Sequence, residues 1–169
     1  MPFFENGVRD FVFVISGDDA EITRHFNERT ALDITARFAV QEERLGTAHA
    51  LGIAAPFLRG RFAVSACDSL MDSSDVRRLL EAGSDADAAL SLLDVGLDMV
   101  SQSGVVELDG VRIRRIVEKP DPENAPSNTV SLPHYVFSPV FLDLLQSVEP
   151  SIRGEYELQD AIQGLIEGG

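Results

Sequence analysis

The sequence predicts an α/β domain with a Rossmann-like, doubly wound, mostly parallel sheet and an antiparallel hairpin added in its second half. Three observations carry that expectation. Apolar runs at 11–16, 61–67 and 88–93 read as buried strands. Stretches of helical spacing separate them, and strand–helix alternation marks a doubly wound sheet. Asp109-Gly110, a preferred two-residue turn, lies between two apolar runs.

Taken in order, 11–16 (F-V-F-V-I-S) is a strand buried on both faces and ended by Gly17. Asp18 or Asp19 is placed to cap the next helix, on which Ile22 and Phe26 share a face. Ile34, Ala36, Phe38 and Val40 alternate at period two, so 34–40 is a strand. A polar loop leads to Gly46, and Thr47 opens a capped helix running to about residue 58, with Pro56 disturbing its last turn. Strand 61–67 ends at Asp68, with Cys67 read as a core residue. Helix 74–82 stops at Gly83, and 88–93 is a strand. The hairpin pairs 105–108 with 111–117, and 121–128 is a proline-bearing loop. Residues 135–138 form a strand, 139–146 a helix and 158–166 a final amphipathic helix.

At 169 residues without an internal linker, the chain reads as a single domain, 1–169. No run is long enough to span a membrane and no signal peptide is recognisable. One cysteine fits a reducing compartment, so the expected location is cytoplasmic. Twenty-eight acidic residues face 14 basic ones, giving a net charge of -14 that repels nucleic acid polymers and anionic membranes. An acidic, lysine-poor composition fits a salt-rich cytoplasm, or equally a lineage with arginine-biased codons.

Ligands of open α/β sheets bind beyond the carboxyl ends of the strands, where Gln41 with Gly46, Asp68, and Glu118-Lys119-Pro120 fall. Asp68 either holds a hard divalent cation against phosphate or caps the turn before Ser69. Lys119 is the only lysine and precedes a proline, which favours extended backbone and puts Glu118 and Lys119 on opposite faces. It reads as a point charge for phosphate, against the plainer role of a solvated surface residue. A helix-dipole argument accounts for Glu157 but leaves Arg153 unexplained. The three histidines lack metal-ligand spacing.

Q-E-E-R-L-G-T-A-H-A from Gln41, the strand ending at Asp68, G-V-V-E-L-D-G then I-V-E-K-P, Ser127-Asn128, Y-V-F-S-P, and R-G-E-Y-E-L-Q-D-A-I from Arg153 follow one another in order. In that combination the chain resembles the sugar-phosphate nucleotidylyltransferases. The resemblance implies joining of a sugar 1-phosphate to a nucleoside triphosphate with release of pyrophosphate, assisted by Mg²⁺. It implies that Gln41, Gly46 and Thr47 bind the nucleotide and that Asp68 ligates the metal. Lys119 and Arg153 would hold the sugar phosphate, and Glu118, Glu155, Asn128 and Tyr135 would bind the sugar.

The family's glycine-rich G-x-G-T-R loop has no counterpart, nor does its second metal-binding aspartate. Cys67-Asp68-Ser69 stands in place of Gly-Asp-Asp or Gly-Asp-Asn, and Pro133 in place of a glycine. The expectation is a sheet without its first central strand, leaving 11–16 and 61–67 to flank a gap. Direct pairing of these strands, another segment, or a homo- or hetero-oligomeric partner would close it. The alternative function is a non-catalytic paralogue that binds a nucleotide or nucleotide sugar, or regulates a catalytic partner.

Overall fold

The computed structural model describes residues 1–17, 19–29 and 31–168, with only the backbone of Arg29. Its elements are α1 (Pro2–Glu5), β1 (Asp10–Ile15), α2 (Ala20–Arg24, continued by a π-type turn), β2 (Thr35–Val40) and α3 (Thr47–Ala54). Then follow β3 (Phe62–Ser65), α4 (Ser73–Ala82), β4 (Ala88–Asp94), β5 (Gly104–Asp109), β6 (Arg112–Glu118), β7 (Thr129–Phe137), α5 (Phe141–Leu144) and α6 (Leu158–Gly168). The α/β class holds. Helix 47–58 shortens to α3 because Pro56 converts its end to a 3₁₀ turn.

β1 and β2 pair in parallel as a two-stranded sheet, while β3, β7, β5 and β6 form the ordered path of a second sheet, with β4 on the other edge of β7. The ladders of the second sheet are antiparallel, which corrects the expectation of a mostly parallel one. The cause is β7, which runs antiparallel to both β3 and β4, so those two strands lie parallel with β7 between them. β7 spans nine residues, more than the four expected at 135–138. Pro133 concealed its first half, and the register with β4 shifts between Leu90 and Leu92 opposite that proline.

Among the described residues no ladder joins β1 to β3, and residues 2–5 form a helical turn. β1 is half-buried rather than buried on both faces, with Val14 37% exposed, as befits a strand in a two-stranded sheet. Helix α3 packs against β1, β2 and α6. The main core lies between α6, α5 and the large sheet, where the Phe137 and Phe141 rings stack 3.7 Å apart at 5°.

Local details differ from the sequence reading where tertiary contacts take over. Cys67 is exposed, because β3 ends at Ser65 and Cys67 lies in the turn beyond. The hairpin turn is Gly110-Val111, since Asp109 pairs with Arg112. Asp18 lies outside the described residues. Asp19 occupies the N-cap position of α2 without capping it, because its Oδ2 accepts from Ser16 N and Ser16 Oγ.

Candidate active site

Three groups of side chains gather at loops leaving the strands. The first is the loop after β2. Gln41 Nε2 donates to the Gly46 carbonyl at 3.3 Å and lies 2.9 Å from His49 Nδ1, so the amide is oriented by its own loop and by α3. Gly46 has φ +108 and ψ 177, a region that favours glycine alone. An added Cβ there would lie 2.5 Å from the Tyr156 carbonyl oxygen. Tyr156 crosses so closely because it is bonded on both sides: its N–H donates to Leu45 O at 2.7 Å, and its carbonyl accepts from Ala48 N at 2.9 Å.

Thr47 does not cap its own helix. Its hydroxyl accepts from Leu158 N at 3.2 Å, satisfying a free N–H at the start of α6. This corrects the reading of Thr47 as the capped start of α3. The Gly46 loop and the 151–158 segment are thereby hydrogen-bonded to one another.

The second group is the turn after β3. Asp68 is exposed there, three residues beyond the end of the strand rather than immediately after it. His134, buried on β7, has Ser65 Oγ and Ser69 Oγ each 2.9 Å from a ring nitrogen. Burial depresses the imidazole's pKa, and the nearby Asp68 charge opposes that shift.

The third group surrounds the end of β6. Glu118 has a side chain only 13% exposed; its Oε1 lies 3.6 Å from both Lys119 Nζ and Arg153 Nη2. Arg153 Nη2 donates to Glu157 Oε1 at 2.6 Å, and Ser151 Oγ donates to the same oxygen at 3.2 Å. Burial raises the Glu118 carboxyl above the usual glutamate range, outweighing Lys119, and Glu157 adds to the rise. Glu118 Oε2 is buried with no hydrogen-bond partner among the described residues.

Glu118 and Lys119 do not point to opposite faces. Lys119 is the one described non-glycine residue at positive φ, 44°, not the extended geometry expected before a proline. That turn of the backbone lets neighbouring side chains meet, at a conformational cost of about 1–2 kcal/mol. Lys119 and Arg153 stay 42% and 37% exposed, so both cations touch the carboxylates and still face solvent.

The remaining candidates divide. Tyr135 is buried on β7, with Gln159 Nε2 3.5 Å from its hydroxyl and its pKa raised by burial and, to a lesser degree, by Glu118. It therefore borders the Glu118 group. Asn128 is exposed and tied to the end of β4, its Nδ2 donating to Val95 O at 3.2 Å. Glu155 is exposed, and its effect on Arg153 ranks behind those of Glu157 and Glu118. The acid packed on the arginine is Glu157, 5% exposed, which a helix-dipole argument had set aside. Its i,i+4 spacing from Arg153 was the available signal. Ser151 and His49 had none.

A nucleotidyl transferase family model matches residues 3–169. The chain belongs to that family. The chain is 32% identical over 166 residues to the bifunctional protein GlmU of Methanococcus maripaludis, covering 98% of this chain and 38% of that protein. It is 34% identical over 168 residues to the UTP–glucose-1-phosphate uridylyltransferase AglF of Haloferax volcanii, covering 96% of this chain and 67% of the relative. A solved UDP-glucose pyrophosphorylase complexed with UDP-glucose shares its fold, with a TM-score of 0.85 at 18% identity over 99% of this chain and 73% of that one. The chain spans well under half the length of the GlmU protein. No described helix of this family member is long and apolar enough to cross a membrane.

Proposed function

We propose that the chain is the nucleotidylyl-transferring domain of a sugar-phosphate nucleotidylyltransferase, a single domain that joins a sugar 1-phosphate to a nucleoside triphosphate. The observation that carries the reading is the hydrogen-bonded union of the Gly46 loop with the 151–158 segment, which brings the base-reading and sugar-phosphate groups together. Gln41 and Gly46 take the base, while Lys119 and Arg153 hold the sugar phosphate. Glu118, bordered by Tyr135, accepts from sugar hydroxyls through Oε1, the oxygen that its two cations already reach. Asn128 and Glu155 stand further out on exposed loops.

Asp68 fits Mg²⁺ as a single ligand. Among the described residues no three His, Cys, Asp or Glu side chains gather around an ion. A cation at Asp68 would draw its other oxygens from phosphate and water, the habit of Mg²⁺. When bound, the ion neutralises phosphate charge. The protein orients the sugar phosphate for in-line attack on the α-phosphorus and balances its charge through Lys119 and Arg153.

The test is pyrophosphate release from sugar 1-phosphates and nucleoside triphosphates with Mg²⁺, using the chain alone and extended at its N-terminus, beside calorimetric titration with nucleotide sugars. Turnover lost in Asp68→Asn and Arg153→Met supports the reading. Nucleotide-sugar binding without turnover in either form supports a binding or regulatory paralogue. A chain that neither binds nor turns over refutes both.

A further inference from the structure

His134 is 1% exposed on β7 and stands in register opposite Ser65, the last residue of β3. Its two ring nitrogens reach two serines, Nδ1 to Ser65 Oγ and Nε2 to Ser69 Oγ, each at 2.9 Å. A neutral imidazole offers one N–H and one bare nitrogen, and a hydroxyl can donate or accept. Both contacts are therefore satisfied in either tautomer. Just before the turn, Ala66 N donates to Pro133 O at 3.0 Å, holding the chain to β7 for one residue past the strand. Between these fixed points at Ala66 and Ser69 lie only Cys67 and Asp68, both exposed.

We propose that His134 is a positioning residue that, through Ser65 and Ser69, staples the exposed turn and aims the Asp68 carboxylate. The proposal rests on Asp68 as the metal-binding carboxylate. An exposed carboxylate on a free turn would have to be ordered each time an ion bound, whereas a turn held at both ends presents it ready-placed. The buried histidine supplies the second anchor where the backbone ladder has ended.

Two measurements test it on the intact chain: Mn²⁺ binding in the presence of UTP, followed by electron paramagnetic resonance, and amide hydrogen exchange at 66–69. Asp68→Asn should abolish protein-bound Mn²⁺. Ser69→Ala and His134→Leu should each weaken it about tenfold, the usual cost of losing an outer-shell partner. Both should speed exchange at 66–69 while leaving β4 protected, and Ser69→Thr should restore both readouts. Wild-type Mn²⁺ affinity and exchange in Ser69→Ala, with binding lost in Asp68→Asn, would overturn the staple. Unchanged Mn²⁺ binding in Asp68→Asn would sink the metal reading instead, and exchange alone would then decide the staple. Should His134→Leu fail to fold, Ser69→Ala carries the test.

Discussion

Replacing Gly46 by alanine tests whether the two halves of the site are joined as described. The new Cβ would lie 2.5 Å from the Tyr156 carbonyl oxygen and 2.7 Å from its nitrogen, so backbone rather than a flexible side chain must move. Two costs add. Holding a non-glycine residue in this backbone region costs about 1–3 kcal/mol. Separating the strands of the crossing endangers the Tyr156 N–Leu45 O and Ala48 N–Tyr156 O bonds, each contributing about 1 kcal/mol net. The sum, about 3–5 kcal/mol, is a large share of a domain's total of about 5–15 kcal/mol. For a chain of this size it lowers the melting temperature by roughly 10 °C. Gly52→Ala is the control: it lies exposed in α3 with nothing within 4 Å of an added Cβ, and should gain about 0.5–1 kcal/mol. Thermal unfolding followed by circular dichroism reads both. A Gly46→Ala protein melting within about 2 °C of wild type would refute the crossing as the join between the Gly46 loop and the Arg153 segment.

Glu118→Gln should invert the usual effect of losing an ion-paired residue. An acid whose pKa is raised by folding stabilises fully below its unfolded value of about 4.3 and loses that contribution as pH rises through the folded value. Burial raises Glu118 in the folded protein, so the amide should match or exceed wild-type stability at pH 7.5, with the margin closing towards pH 4.5 in urea unfolding. A pH-independent loss would contradict this. At Lys119, φ 44 predicts that glycine outlasts alanine by about 1 kcal/mol in chemical denaturation, although both variants lose the charge; equal stability would place the strain elsewhere. With a net charge of -14, added KCl should raise the melting temperature by screening self-repulsion, and a fall would exclude salt adaptation.

What the sequence disclosed is what local patterning controls. Helix α4 was legible from its stop at Gly83, whereas its cap, Asp72 accepting from Asp75 N, emerges only in the fold. The β5–β6 hairpin was legible from its turn to within one residue. β7 was not, because its antiparallel insertion between β3 and β4 is set by long-range pairing, and Pro133 masks its periodicity. The same division runs through the site. Gln41, Gly46, Asp68, Glu118 and Arg153 could be singled out in the sequence as candidates, whereas the contacts among them could not.

Lys119 shows why the relations matter. The general bias before proline put it in extended backbone, opposite Glu118. In the fold its N–H is drawn to Ser103 O at 3.1 Å, just beyond the Gly104–Glu118 pairing that opens the β5–β6 ladder. Continuing the ladder by that one bond turns the backbone, and the turned backbone swings the ammonium back to within 3.6 Å of Glu118 Oε1, beside Arg153. Two cations thus flank a buried carboxylate that burial alone would leave protonated at higher pH. The lone lysine therefore acts inward on Glu118 as well as outward towards solvent. Replacing it should raise the Glu118 pKa further, since Lys119 is the strongest influence holding that carboxyl down.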